Sequence, residues 1–115
     1  MPLIRLETDI ILSREQEINL AAKLSEIVAE KLGKPLEYVM ATISTSCFLL
    51  SGEPGNAAFV QVMSIGGLNA PVNGSIAAAV SSVLEETLGI SAGRVYITFS
   101  DISGENWAWQ GRTFR

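Results

Sequence analysis

Pro2 has the most distinctive chemistry available to this 115-residue chain. So small a residue after Met1 permits removal of the initiator, which leaves the nitrogen of Pro2 as a secondary amine. An ordinary α-amino group titrates at roughly pH 7.7–8.0. At a strand end, in an apolar and partly dry pocket, the charged form is disfavoured and the pKa falls further. The product is a base poised near neutral pH on a rigid ring. Taken alone, Met1-Pro2 reads more simply as a proline opening a strand, where its missing N–H costs nothing.

Three further places could act with it. Lys34, just after Gly33, could bind a substrate carboxylate and keep a nearby amine neutral by like-charge repulsion; its plainer reading is a lysine answering a helix dipole. Ser64-Ile65-Gly66-Gly67 leads from a strand towards a helix. Glycines there allow close backbone approach, and the N–H groups can hold an anion; a plain turn is the commoner reason for such a run. The phenol of Tyr96 could polarise a carbonyl, though a lone tyrosine is more often packing. Trp107, Trp109 and Phe114 could line an aromatic pocket or anchor a subunit contact. Ser44, Thr98 and Ser100 read as strand residues.

The chain has no histidine, and Cys47 is its one cysteine. A histidine triad, a histidine metal cluster, a CxxC site and an intrachain disulfide are therefore all excluded. Acid–base work falls to carboxylates, Lys, Tyr or the terminal amine. Cys47 reads as a small buried apolar group.

These residues need a scaffold, and the chain supplies one twice. Leu32-Gly33, Val39, Thr42 and Ser44 recur as Leu88-Gly89, Val95, Thr98 and Ser100, an offset of 56 residues. Each half reads as a βαβ unit, over about 2–45 and 58–100, and a short C-terminal segment completes one domain over 1–115. Residues 2–8 form the first strand. Ser13 caps the first helix, with Gln16 completing a capping box. Leu20, Leu24, Ile27 and Val28 give that helix an apolar face, and Gly33 and Pro35 end it. Tyr38 to Ser44 is the second strand and 58–64 the third. The second helix spans roughly 70–88, with Val72, Ile76, Val80, Val83, Leu84 and Thr87 inward, and Val95 to Phe99 is the fourth strand. The fold class is α/β: a four-stranded mixed sheet with both helices on one face. So apolar a sheet, uncovered on its second face, calls for packing against other copies.

Composition agrees with a globular chain. Apolar residues make up 48% and charged residues 17%, enough to fill a core. A mean hydropathy of +0.32 is high for so small a domain and fits burial between subunits. The net charge of −4 and the absence of a Lys/Arg cluster argue against nucleic acid. No apolar run approaches the ~20 residues of a membrane span. Arg5 and Glu7 arrive too early for a signal-peptide core, so the default compartment is the cytoplasm.

Together these residues resemble the macrophage migration inhibitory factor family of the tautomerase superfamily. The likeness runs through Met1-Pro2, Gly33-Lys34-Pro35, Tyr38, Ser64-Ile65-Gly66, Arg94-Val95-Tyr96-Ile97, Trp109 and Thr113-Phe114. It implies a homotrimer whose sheets line a central channel, with sites between subunits. It implies ketonisation of phenylpyruvate-like or dopachrome-like enols without a cofactor or metal. Pro2 resembles the family's catalytic base. Lys34 and the Ile65 N–H match its carboxylate site, beside Ser64; Tyr96 would reach in from a neighbouring subunit. Tyr38, Trp109 and Phe114 match the aromatic lining. Three departures stand out. Thr98 replaces a substrate-contacting asparagine of the vertebrate members. Trp107 replaces a small aliphatic residue at the pocket mouth, narrowing it. The region from Pro54 to Phe59 lacks the vertebrate CxxC, so thiol oxidoreductase activity is not expected. The resemblance also carries an alternative: a released, cytokine-like ligand that meets a receptor and keeps its pocket as a relic.

Overall fold

Strict alternation makes the first strand, β1 (Pro2–Thr8). Ile4 and Leu6 are fully buried, while Leu3, Arg5 and Glu7 turn the other way. The computed structural model describes residues 1–115. After β1 come α1 (Arg14–Leu32), β2 (Met40–Thr45), and a short pair, β3 (Leu49–Leu50) with β4 (Glu53–Pro54). There follow β5 (Ala58–Ser64), α2 (Ala70–Leu88), β6 (Val95–Asp101), and a second short pair, β7 (Ala108–Trp109) with β8 (Arg112–Thr113). Four strands form one mixed sheet in the order β2-β1-β5-β6. β1 runs parallel to β2, and β5 parallel to β6, while β1 and β5 pair antiparallel. Each parallel pair is the two ends of one βαβ unit.

The offset of 56 residues reappears in the core. Ile4 and Leu6 of β1 correspond to Val60 and Val62 of β5; Leu20, Leu24 and Val28 of α1 correspond to Ile76, Val80 and Leu84 of α2. These ten side chains and Ile90 fill the layer between helices and sheet. Burying each contributes about 1.5–3 kcal/mol. Local signals agree with the fold. Ser13 Oγ accepts the Gln16 N–H and Gln16 returns a bond to the Ser13 N–H, the full capping box. Asn69 caps α2 through the Val72 N–H.

Four expectations need correction. Cys47 is exposed, not a small buried apolar group, because it lies in the loop between β2 and β3. Tyr38 is not in the second strand: Leu36–Tyr38 is a 3₁₀ turn, and β2 starts at Met40. The fixed φ of Pro35 launches that turn before the chain can extend. Thr87 is exposed, because its hydroxyl bonds back to the Val83 carbonyl at 2.6 Å instead of packing inward. The helix-free face of the sheet is also less apolar than expected. Alternation places Thr42, Ser44, Arg5, Glu7, Gln61, Thr98 and Ser100 across it, with Arg5 and Glu7 paired at 2.6 Å. Its large apolar groups, Met40 and Tyr96 among them, lie towards the edges and ends.

Between β1 and β5 the chain is held by Asp9. Its carboxylate accepts the N–H groups of Asn56 (2.7 Å) and Ala57 (2.9 Å). Arg94 clamps the same region from the other side, donating to the carbonyls of Gly55, Asn56, Leu50 and Glu53. The Ala57 bond, then the Asn56 and Asp9 backbone bonds and the Arg94 charge, hold the Asp9 carboxyl below its usual value against the opposing effect of burial. A depressed carboxyl stabilises the fold above its ordinary pKa, and that stability is lost as pH falls through the folded value. Asp9→Ala should therefore lower stability at neutral pH, by less than about 1 kcal/mol because solvent screens so exposed a carboxylate. Thermal melts should show the gap between wild type and variant closing as pH drops below about 4; a constant gap would remove the charge from the account.

Candidate active site

The turn after α1 builds one wall of the site. Gly33 adopts the left-handed conformation, φ 64°, which costs an L side chain but not glycine. The Gly33 N–H reaches the Glu30 carbonyl and the Lys34 N–H the Ala29 carbonyl, closing the helix in a Schellman motif. Lys34 is thereby turned towards the loop that follows β5. Its Nζ donates to the Ile65 carbonyl at 2.6 Å and to Ser64 Oγ at 3.0 Å, with Gly66 O at 3.5 Å. No carboxylate pairs with it: the ion pairs of the chain are Arg5–Glu7 and Arg14–Glu17. A cation held by neutral oxygens keeps its charge available to an incoming anion.

The loop is shaped from two sides. Lys34 takes its carbonyls, and Asp101 Oδ1 accepts the Gly66 N–H at 2.9 Å. Gly67 has φ +85°, and a Cβ there would stand 3.3 Å from Leu32 Cδ2 and 3.7 Å from Lys34 Cε. Glycine thus serves both the backbone and the passage of the lysine stem. Ser64 is fully buried, and its hydroxyl donates to the Gly66 carbonyl at 2.8 Å, so it acts by holding the loop.

Pro2 lies across the sheet from Ser64, which in turn pairs with Asp101 on β6. Its ring is fully buried. It lines a cavity of about 620 Å³ with Met1, Leu3, Glu37, Tyr38, Val39, Met40, Trp107, Ala108 and Trp109. Tyr38 and Trp109 meet edge to face, ring centres 6.0 Å apart at 81°, a favoured aromatic geometry. The volume suits a small organic ligand. Burial first, and the Lys34 charge second, hold the α-amine of Met1 below its ordinary value.

The sequence-read residues thus divide. Pro2, Tyr38, Trp107 and Trp109 share the cavity, and Lys34, Ser64 and Ile65 form the adjoining cation-bearing loop. Tyr96 does not join them. It pairs with Phe59, five residues along β5 from Ser64, about 17 Å away at strand spacing, and is 64% exposed. Thr98 is exposed on the same strand. Phe114 is outside the cavity lining and packs beside Gly104. Sequence reasoning missed Glu37, Val39 and Met40 in the lining: the 3₁₀ turn Leu36–Tyr38 presents Glu37, and Val39 and Met40 follow it into the start of β2. It also missed Asp101, by ending the fourth strand at Phe99. No group of three or more His, Cys, Asp or Glu is placed to hold a metal ion, and no helix is long and apolar enough to cross a membrane.

Comparison with known proteins gives the family and supports the fold. The family model described as macrophage migration inhibitory factor (MIF) matches residues 1–115. A macrophage migration inhibitory factor homolog of Trichinella spiralis is 34% identical over 115 residues, covering 99% of this chain and 100% of the relative. The structure of the Toxoplasma gondii macrophage migration inhibitory factor superposes with a TM-score of 0.91 at 36% identity, over 97% of this chain and 99% of that one. A homologue from Prochlorococcus marinus gives 0.90 at 34% identity, over 98% and 99%. With a two-helix, four-stranded mixed sheet in common and the whole chain matched, this protein belongs to the macrophage migration inhibitory factor family of the tautomerase superfamily, an isomerase class.

Proposed function

We propose that the chain is a cofactor-independent keto–enol tautomerase for phenylpyruvate-like or dopachrome-like substrates, with Pro2, freed of Met1, as the general base. One observation carries the reading: Pro2, at the head of β1, lines an aromatic-walled cavity and stands in register with Ser64, whose hydroxyl is held by Lys34. The substrate carboxylate meets Lys34 and the Ile65 N–H, which fixes the enol over Pro2. The Pro2 nitrogen takes the enol O–H proton, and that bond's electrons form the carbonyl. The C=C pair then takes a proton from the prolinium at carbon. The proton count is unchanged over the cycle, and nothing is oxidised or reduced.

Met1 itself forms part of the cavity wall. Its removal would free the nitrogen and enlarge the space at once. Intact mass should therefore give a chain starting at Pro2, and that material should ketonise phenylpyruvate enol. Full activity in protein that retains Met1 would overturn the assignment, since an acylated proline nitrogen has no basic lone pair.

The proposed assembly is a homotrimer. Tyr96 is too far from Pro2 of its own chain to serve it, yet it is exposed beside a hollow of about 180 Å³ that it shares with Leu49, Phe59 and Arg94. A second copy is the natural partner for such an edge. Light scattering should give three chains per particle, and Tyr96→Phe should lower turnover without dissociating them. A folded, active monomer would sink the shared site.

A further inference from the structure

The two peptide units that flank Ile65 are both held from the end of β6. Ser64 pairs with Asp101 in the ladder, and the Ile102 N–H donates to the Ser64 carbonyl at 2.8 Å. A planar trans peptide points its N–H opposite to its C=O. With the Ser64 carbonyl turned towards β6, the Ile65 N–H points to the other side of β5, where β1 begins. Pro2 is the register partner of Ser64 there. Extended by one residue, that register sets Ile65 opposite Met1, so excision of Met1 leaves the N–H facing the space over Pro2.

The next unit, between Ile65 and Gly66, is pinned at both ends. Its carbonyl accepts Lys34 Nζ at 2.6 Å, and its N–H donates to Asp101 Oδ1 at 2.9 Å. Gly66 has φ 74°, and with no Cβ at that position a peptide unit turns over readily unless something holds it. Asp101 is what holds the N–H end. A carboxylate suits that task, because it accepts hydrogen bonds and donates none. It also takes a neutral N–H and forms no ion pair with Lys34; the ion pairs of the chain are Arg5–Glu7 and Arg14–Glu17. The lysine charge thus stays available while its loop is fixed.

We infer that Asp101 is a positioning residue for the substrate carboxylate: by locking the Ile65–Gly66 peptide it keeps the Ile65 N–H aimed over Pro2. The inference rests on the tautomerase reading for its substrate, but the lock is a property of the loop and does not depend on turnover. What matters is the acceptor oxygen and not the negative charge. Asparagine at this position therefore preserves the function and alanine removes it. Asp101 is exposed at a strand end, so the core survives its replacement.

The test compares wild type with Asp101→Ala and Asp101→Asn, after thermal melts to establish folding. Kinetics measures KM and kcat for the enols of phenylpyruvate and of its methyl ester. Asp101→Ala should raise KM for the acid by roughly three- to tenfold, the range of one hydrogen bond. Its kcat, and both constants for the ester, should stay within about twofold. Asp101→Asn should bring KM for the acid back to within about twofold of wild type. Should Asp101→Ala fail to fold, Asp101→Glu carries the test, because one extra methylene displaces the acceptor and should raise KM for the acid alone. A second readout needs no turnover. In NMR titrations with 3-phenylpropionate, which cannot be ketonised, the Ile65 amide proton should move downfield in wild type and Asp101→Asn, and less in Asp101→Ala. Equal losses for acid and ester, or an Asp101→Asn that behaves as Asp101→Ala, overturn the positioning role. Wild type that ketonises neither enol while the amide responses keep the expected order would overturn the tautomerase reading and leave the positioning role standing.

Discussion

Replacing Pro2 by glycine should lower ketonisation of phenylpyruvate enol by about two orders of magnitude per folded molecule. A positioned general base contributes roughly 10²–10⁴-fold, and Pro2→Gly keeps an amine there, so the loss belongs at the lower end. What changes is the quality of the base. A secondary amine locked in a ring becomes a flexible primary one, so the lone pair is no longer held over the substrate. An alanine inserted between Met1 and Pro2 is the harsher variant, because it leaves Pro2 acylated even after the initiator is removed. It should forfeit the full contribution of the base.

Stability moves too, and that has to be separated from rate. The Pro2 ring is fully buried. Removing its three methylenes costs transfer free energy of about 0.8 kcal/mol each at most, so Pro2→Gly should melt a few degrees lower. Turnover must be normalised to folded protein, with a thermal melt beside each assay. The pH profile is the cleaner sign. Burial and Lys34 lower the pKa of the Met1 amine; a Pro2 base proposed for the same partly dry pocket works when deprotonated, so the rate should rise with pH through a value below that of an ordinary α-amine. That limb should move in Pro2→Gly. An unaltered rate and limb would leave Pro2 with packing alone.

Much of the candidate site is legible in the sequence, for a physical reason: its residues sit next to strong local signals. The Ser13 capping box, Gly33 past the end of α1 and the period-two strands 2–8 and 58–64 are all decided within a few residues of chain, and they place Pro2, Lys34 and Ser64. The repeat at 56 residues fixed the pairing of halves, since equivalent positions fill one core. Glu37 and Asp101 were not legible. The first depends on Pro35 starting a 3₁₀ turn inside what looked like a strand; the second depends on β6 running two residues further because Ser64 is there to pair with Asp101. The polar centre of the helix-free face was hidden for a different reason. Mean hydropathy sums over the chain and says nothing of which face each residue takes, and the apolar excess lies in the core and at edges such as Met40, Leu49 and Tyr96.

Lys34→Ala should separate substrates by charge. A charge-assisted contact contributes about 1.5–3 kcal/mol, or roughly 10- to 100-fold, so kcat/KM for a phenylpyruvate-type acid should fall by that much. The corresponding ester should change less than about threefold. Lys34 has a second duty, because its Nζ also ties Ser64 Oγ and the Ile65 and Gly66 carbonyls together. Lys34→Ala frees all three, and a loosened loop would hurt acid and ester alike. The difference between the two substrates is therefore the readout of charge, and their common loss is the readout of the loop. The pH limb gives an independent check. The lysine charge lowers the Met1 amine pKa; on the proposed reading its removal also lets the Pro2 amine hold its proton to higher pH, so the rising limb should move upward. Lys34→Arg keeps the charge and should leave that limb near the wild-type position even where its broader head fits the loop poorly. Equal losses for acid and ester with an unmoved limb would reduce Lys34 to a tether between α1 and the loop after β5.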